Sequence, residues 1–144
     1  MNWLILRDMD HDADCAAQLM QSLVNKSHPQ FCLRIAVREA ESWLMADHAS
    51  LADFLHVSAI RMPERPDTLE SPKSQLVALA RKSRDRNVRL ALIPSEGSGI
   101  KTGPEYSAWM VDYAATHWDV GRAVKSGRSP SLGRAIARLR TLAQ

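Results

Sequence analysis

The chain has 144 residues, which is enough for one domain of ordinary size and too few for two large ones. Its composition is 45% hydrophobic and 24% charged, which excludes a disordered or fibrous protein. No apolar run approaches the roughly 18–20 residues that span a bilayer, and the two cysteines lack Cys-x-x-Cys spacing. We therefore expect a reduced, cytoplasmic protein with neither a membrane span nor cysteine-bound zinc. The net charge of +3 permits contact with nucleic acid without requiring it.

The N-terminal part of the sequence predicts a strand–helix–strand unit. The continuous apolar run Trp3–Leu6 indicates a strand over Asn2–Arg7 that is buried on both faces, as in a parallel sheet. A helix is expected from about Ala13 to Lys26. Alternating apolar residues then predict a second strand over Phe31–Val37. Because a helix joins the two strands, we expect them to be parallel.

The remainder of the chain is predicted to be largely helical. Val88–Ile93 is ambiguous between a third strand and an extended connection. A short helical turn is expected over Asp119–Ala123, with Asp119 as its cap, and Ser129 or Ser131 could cap the last helix. Longer helices are expected at Glu39–Asp47, Ser50–Val57, Pro72–Arg84 and Glu105–Thr116, with loops over Arg61–Ser71 and Ser95–Gly103.

These elements predict a single α/β domain over residues 1–144, with a parallel-sheet core and a helical C-terminal half. Two strands alone make a poor core, so a third strand over Val88–Ile93 or pairing elsewhere is needed. The sequence also enters its first strand almost at Met1. Two explanations remain open: the chain is an N-terminally shortened member of a longer family, or its strands pair with another chain, as in a homo-oligomer.

Acidic residues follow the first predicted strand. Asp8 and Asp10 come directly after the apolar run, where ligands of open parallel sheets bind. Two carboxylates at this spacing offer oxygen ligands to one hard cation, such as magnesium or manganese. That ion could activate water and neutralise charge at a phosphodiester, and Arg7 beside the pair could contact nucleic acid. The alternative is a solvated acidic loop that caps the following helix.

A second acidic pair, Glu39 and Glu41, follows the second predicted strand. In a helix these residues are about 200° apart, so at most one of them can reach a cleft beside Asp8 and Asp10. Glu41 is favoured, because Trp43 would face the core and fix the rotation of the helix. The alternative is an acidic first turn that the helix dipole stabilises.

Basic residues dominate the C-terminal part of the sequence. No Asp or Glu occurs over residues 120–144, and Arg134 and Arg138 lie one turn apart on the predicted last helix. These two arginines predict salt-sensitive binding to nucleic-acid phosphates. The glycine-rich segment around Lys101 lacks the spacing of a nucleotide P-loop, which leaves a phosphate-contacting loop or a plain surface loop. The alternative for the basic residues of the helices is a solvated helix surface.

The order of these motifs resembles a Toprim-related family of bacterial proteins of unknown function. The resemblance rests on Arg7-Asp8-Met9-Asp10 after a buried strand and on Arg38-Glu39-Ala40-Glu41-Ser42-Trp43-Leu44-Met45-Ala46-Asp47 after the next. It continues through nearly the whole chain, at Ser71-Pro72-Lys73, Ile93-Pro94-Ser95, Gly103-Pro104-Glu105-Tyr106, His117-Trp118-Asp119 and Ser129-Pro130-Ser131-Leu132. Members are often encoded near ATPases and are suspected to act in defence systems or on mobile DNA.

The resemblance implies a Rossmann-like Toprim fold with magnesium- or manganese-dependent chemistry on nucleic-acid phosphodiesters. It implies that Asp8 and Asp10 are the metal-binding pair, that Glu41 is an additional acid, and that an ATPase is a partner protein. Toprim domains also carry a glutamate on an earlier strand, which this sequence lacks. We therefore expect the chain alone to be a poor or inactive nuclease.

Three functions remain open at this point. The first is a metal-dependent nuclease or its remnant, with Asp8, Asp10 and either Glu39 or Glu41 as catalytic residues. The second is a non-catalytic module that binds a partner protein or nucleic acid. The third is a small-molecule phosphotransfer enzyme or phosphatase that uses the same acidic loop. The missing glutamate favours the second over the first, whereas the acidic cluster flanked by arginines favours the first over a purely structural role.

Overall fold

The computed structural model describes residues 3–9, 11–24, 26, 31–36 and 39–143. Within them the chain is a mixed α/β protein with two parallel strands near its N-terminus. The elements there are β1 (Trp3–Asp8), α1 (Ala16–Leu23) and β2 (Phe31–Ala36). The predicted strand–helix–strand unit is thereby confirmed. Asn2 and Val37, the outer ends of the two predicted strands, lie outside the described residues.

The C-terminal half is helical, as predicted. The first helix after β2 begins at Glu41 rather than at Glu39. Among the described residues, no helix is long and apolar enough to cross a membrane. The helices are α2 (Glu41–Ala46), α3 (His48–Phe54), α4 (Pro72–Ala80), α5 (Arg86–Leu92), α6 (Tyr106–Thr116), α7 (Val120–Lys125) and α8 (Pro130–Leu142), with 3-10 turns at Ala59–Arg61 and Pro66–Thr68.

The segment Val88–Ile93 is not a strand or an extended connection, and that prediction was wrong. Its residues 88–92 belong to α5, and Ile93 directly follows that helix. Helix α5 begins after Asp85, whose carboxylate accepts a hydrogen bond from the Asn87 amide at 2.7 Å. Val88 and Leu92, four residues apart, are fully buried, whereas Leu90 between them is 61% exposed. This is the burial period of a helix and not of a strand. In the described part of the chain, the sheet consists of β1 and β2.

Strand β1 is not buried on both faces, so the prediction that the apolar run Trp3–Leu6 is covered on both sides was wrong. Trp3 is 61% exposed, and Leu4, Ile5 and Leu6 are about half exposed. The physical reason is that α1 and α8 both pack on β2, so the described helices leave the faces of β1 largely uncovered. A continuous apolar run predicts burial only when helices cover both faces of the strand.

Most of the hydrophobic core lies among the helices rather than on the sheet. Tyr113, Leu51 and Leu92 are fully buried in it, with side chains from α2 to α6 around them. A small separate cluster of Met9, Leu19 and Ile35 holds α1 against the sheet. The small sheet therefore lies beside the main helical core. The carboxyl end of β1 contacts the start of α2.

Predicted helix caps are confirmed at two positions. The Asp119 carboxylate accepts a hydrogen bond from the Arg122 amide at 2.7 Å, at the start of α7. Of the two serines considered for α8, Ser129 is the cap, because its hydroxyl accepts from the Leu132 amide. The other serine, Ser131, accepts a hydrogen bond from the indole of Trp43 at 2.8 Å and so ties α8 to α2.

Candidate functional site

Asp8 lies at the carboxyl end of β1, where its side chain is fixed by the start of the next helix. Its Oδ1 accepts a hydrogen bond from the backbone amide of Ala40 at 2.7 Å. Ala40 is the residue that precedes α2, and its own side chain offers no cap. Asp8 therefore stabilises the N-terminus of α2 and joins the loop after β2 to the end of β1.

Glu39 makes a similar contact with a different helix. Its Oε2 accepts a hydrogen bond from the backbone amide of Lys73 at 2.6 Å, in the first turn of α4. Glu39 precedes α2 rather than lying within it, so the 200° separation expected for two helical residues does not apply. Asp8 and Glu39 thus belong to one hydrogen-bonded junction between β1, the start of α2 and the start of α4.

Glu41, the first residue of α2, is buried. Only 8% of its surface is exposed, and its Oε1 accepts a hydrogen bond from the hydroxyl of Tyr106 at 3.0 Å. The Lys73 ammonium lies 3.8 Å from the same oxygen. Burial raises the pKa of Tyr106 well above its usual value, and the charge of Glu41 and its hydrogen bond raise it further. Glu41 therefore stays paired with a neutral tyrosine inside the protein.

A cleft of about 650 Å³ opens beside the junction. It brings together two of the predicted functional residues, Glu39 and Lys101, and adds His11 from the loop after β1. Lys101 is exposed on the loop that contains Gly97 and Gly99, both with positive φ. The described residues that line the cleft are His11, Glu39, Leu69, Glu70, Ser71, Ser74, Gln75 and Lys101. The cleft therefore combines the carboxylates of Glu39 and Glu70 with the ammonium group of Lys101. This combination suits a metal ion bound beside a phosphate.

Of the expected metal-binding pair, the structure describes Asp8 alone. Asp10 lies outside the described residues, so the pairing of Asp8 with Asp10 stays a prediction. Among the described residues, no three side chains of His, Cys, Asp or Glu are grouped closely enough to hold a metal ion. Arg7, predicted to contact nucleic acid, forms an ion pair with Asp12 across the same loop.

Arg134 and Arg138 do not line the acidic cleft. Arg134 lines a hollow together with Ser131, Ala135 and residues of β2, and Arg138 lines a second hollow beside β2. Arg34 of β2 lines both of these regions, although sequence reasoning did not select it. The available signal was a charged residue in a strand between Cys32 and Ala36, which are both buried.

Comparison with protein-family models, with curated proteins and with solved structures finds no match to this chain.

Proposed function

We propose that this chain is a Toprim-like, Rossmann-like domain that acts on nucleic-acid phosphodiester bonds with a magnesium or manganese ion. The observation that carries the proposal is the junction at the carboxyl end of the sheet. There the carboxylates of Asp8 and Glu39 are both held by backbone amides, next to a cleft that contains Lys101. Ligands of open parallel sheets bind at this end of the strands.

The chemistry of the donor set fits a hard divalent cation. Asp8 and Asp10 would supply carboxylate oxygens, which magnesium and manganese prefer. The bound ion would neutralise charge on the phosphodiester and lower the pKa of a water ligand. The Ala40 amide holds Asp8 in one orientation, as hydrogen bonds to ligating carboxylates commonly do. Lys101 would bind a phosphate oxygen at the open side of the cleft.

Glu39 is the better candidate for moving a proton, although the sequence favoured Glu41. Glu39 lines the cleft, whereas Glu41 is buried and accepts a hydrogen bond from Tyr106. A residue that transfers a proton must come within hydrogen-bond reach of the reacting water or leaving group. Glu39 would meet this condition for a water or leaving group bound in the cleft that it lines, and Glu41 would have a structural role in α2.

The proposal is tested by manganese titration calorimetry and by cleavage of single- and double-stranded DNA and RNA. In the double variant Asp8→Asn/Asp10→Asn, the asparagine at position 8 keeps an oxygen for the Ala40 amide but removes the charge. We expect that variant to lose manganese binding, and Asp14→Asn, an exposed residue of the same loop, to keep it. Equal binding in the wild type and the double variant, or binding in neither, would contradict the proposal.

Proton transfer is tested separately. Glu39→Gln keeps an acceptor for the Lys73 amide, so the fold should persist while the rate falls by roughly 10²- to 10⁴-fold. Glu41→Gln keeps an acceptor for Tyr106 and serves as the matched control. Metal-dependent cleavage that survives in Glu39→Gln but is lost in Glu41→Gln would return the role to Glu41.

A second candidate function, a non-catalytic module, is favoured by the exposed strand β1. Its apolar side chains and its outer edge suit pairing with a strand of another protein, such as an ATPase partner, or of a second copy in a homo-oligomer. Partner binding without cleavage under any metal condition would support this function over the first.

We also propose a cytoplasmic location, because Cys15 and Cys32 are both free thiols, as is usual in a reducing compartment.

A further inference from the structure

Arg34 has an unusual environment in the middle of β2. Its Nε is buried and has no hydrogen-bond partner among the described residues. Its neighbours on the strand, Leu33 and Ile35, belong to the small apolar cluster with α1. A buried guanidinium N–H without an acceptor is unfavourable, and this donor is most stable when an anion or another acceptor reaches it.

Two adjoining hollows of about 300 and 320 Å³ meet at this arginine. We call them together the arginine groove, because Arg34 lines both, Arg138 borders the first and Arg134 borders the second. Ala17 and Met20 of α1 also line both hollows, which makes the groove continuous between α1 and α8.

The described residues that line the arginine groove carry positive charge and no negative charge. No Asp or Glu is found among the described residues that line it, and none occurs over residues 120–144, which include all of α8. Among the described residues, no ion pair forms with any of the three arginines. Arg134 and Arg138 are four residues apart on α8, where like charges repel each other. An anion bound between them would relieve that repulsion.

Apart from Gln21 and Ser131, the other residues that line the arginine groove are apolar. Met20 of α1 and Val24, just after that helix, line it together with Phe31 and Leu33 of β2. Guanidinium groups match the geometry of phosphate oxygens, and apolar and aromatic side chains match the face of a heterocyclic base. Each hollow has roughly the smallest volume found for small-molecule sites, about 300 Å³. The combination therefore fits one phosphate with one flat ring.

We propose that the arginine groove binds a nucleotide, with Arg34, Arg134 and Arg138 on its phosphate and the apolar wall against its base. The nucleotide is either free or part of a single-stranded nucleic acid. As a site for a free nucleotide, the groove is independent of the function proposed above. As a site for a nucleic-acid strand, it rests on that function and supplies the surface that holds the strand outside the acidic cleft.

The test is calorimetry in the presence of a chelator, so that a failed metal site cannot affect the result. The probes are adenosine monophosphate, adenosine, inorganic phosphate and a short single-stranded oligodeoxyadenylate. We expect binding of the monophosphate or of the oligonucleotide, at least tenfold weaker binding of adenosine, and no dependence on Asp8→Asn. Tighter binding of the monophosphate than of the oligonucleotide identifies a free nucleotide as the ligand, and tighter binding of the oligonucleotide identifies a strand.

Variants connect the binding to the arginine groove. Arg34→Gln and the double variant Arg134→Gln/Arg138→Gln should each weaken binding at least tenfold. Arg140→Gln, an exposed arginine on the same helix that does not line the groove, is the matched control. The double variant changes residues near the surface, so it keeps the test valid even if Arg34→Gln unfolds. Absence of binding by every probe, or binding that the double variant leaves unchanged, would overturn the proposal.

Discussion

Arg122 of α7 and Asp47, between α2 and α3, form a bidentate ion pair. The Arg122 Nη2 lies 2.8 Å from Asp47 Oδ2, and its Nε lies 3.1 Å from Oδ1. Asp47 is only 4% exposed and also accepts a hydrogen bond from the Asp119 amide at 3.0 Å. Hydrogen bonding to Asp47 raises the pKa of the Arg122 guanidinium above its usual value. One buried carboxylate thus holds the start of α7 against the central helices.

Removal of that carboxylate should destabilise the protein. Asp47→Ala leaves the part-buried Asp119 amide without its acceptor, and we expect the free energy of unfolding to fall by about 2 kcal/mol. Asp47→Asn keeps an acceptor oxygen and should recover part of this loss. Chemical denaturation measures the stability of both variants. The control is Lys125→Ala, on the same helix as Arg122, which should stay within about 0.5 kcal/mol of the wild type. An Asp47→Ala protein as stable as that control would contradict the assigned role.

Gly103 lies so close to α5 that no side chain fits there. A Cβ at this position would overlap the Ala91 carbonyl oxygen, and the Gly103 amide donates to the Leu92 carbonyl oxygen at 2.9 Å. Gly103→Ala should therefore lower the free energy of unfolding by about 1–3 kcal/mol, as overpacking commonly does. Gly133→Ala on α8 is the matched control, because a Cβ at that position would have nothing within 4 Å. That variant should gain about 0.5–1 kcal/mol from helix propensity.

The elements that could be predicted from the sequence are those with local signals. Asp119 and Ser129 each precede a helix, and each side chain accepts a hydrogen bond from the backbone amide three residues later. A short stretch of sequence is therefore enough to identify the cap. The strand–helix–strand unit was predictable for the same reason, since each element carries its own apolar period.

The errors arose where long-range packing decides the structure. Val88–Ile93 is too short and too apolar for its periodicity to distinguish a strand from a helix. The Asp85 side chain caps this segment and so favours the helix. The exposure of Trp3 depends on which strand α1 and α8 cover. In the candidate site, the sequence predicted the acidic loop. It did not predict that Glu39 would line the cleft, because this depends on α2 beginning two residues later than expected.

The helical assignment of α5 can be tested with two leucines. A strand would place Leu90 and Leu92 on the same face, whereas in α5 Leu92 is fully buried and Leu90 is 61% exposed. We expect Leu92→Ala to lower the free energy of unfolding by about 2–5 kcal/mol and Leu90→Ala to change it by less than about 0.5 kcal/mol. Similar losses in the two variants, measured by urea denaturation, would restore the strand interpretation.

Tyr106 and Tyr113 should make the protein sensitive to alkaline pH. They are the chain's two tyrosines, and burial raises the pKa of both above the usual value of about 10. Above about pH 10 the unfolded chain releases these protons while the folded protein keeps them. The stabilising contribution of each tyrosine is therefore complete below that pH. It then declines by about 1.4 kcal/mol per pH unit as the pH rises toward the folded-state pKa.

Denaturant titrations on either side of about pH 10 measure this decline. Lysines also titrate in this range, so the informative quantity is the difference in pH dependence between the wild type and Tyr106→Phe. We expect the variant to be less stable near neutral pH, because Glu41 loses its hydrogen-bond donor, and to show a shallower alkaline decline. The absorbance of tyrosinate should appear only as the wild type unfolds. Tyrosinate that forms in the folded protein near pH 10 would show that Tyr106 and Tyr113 are accessible to solvent, contrary to their burial.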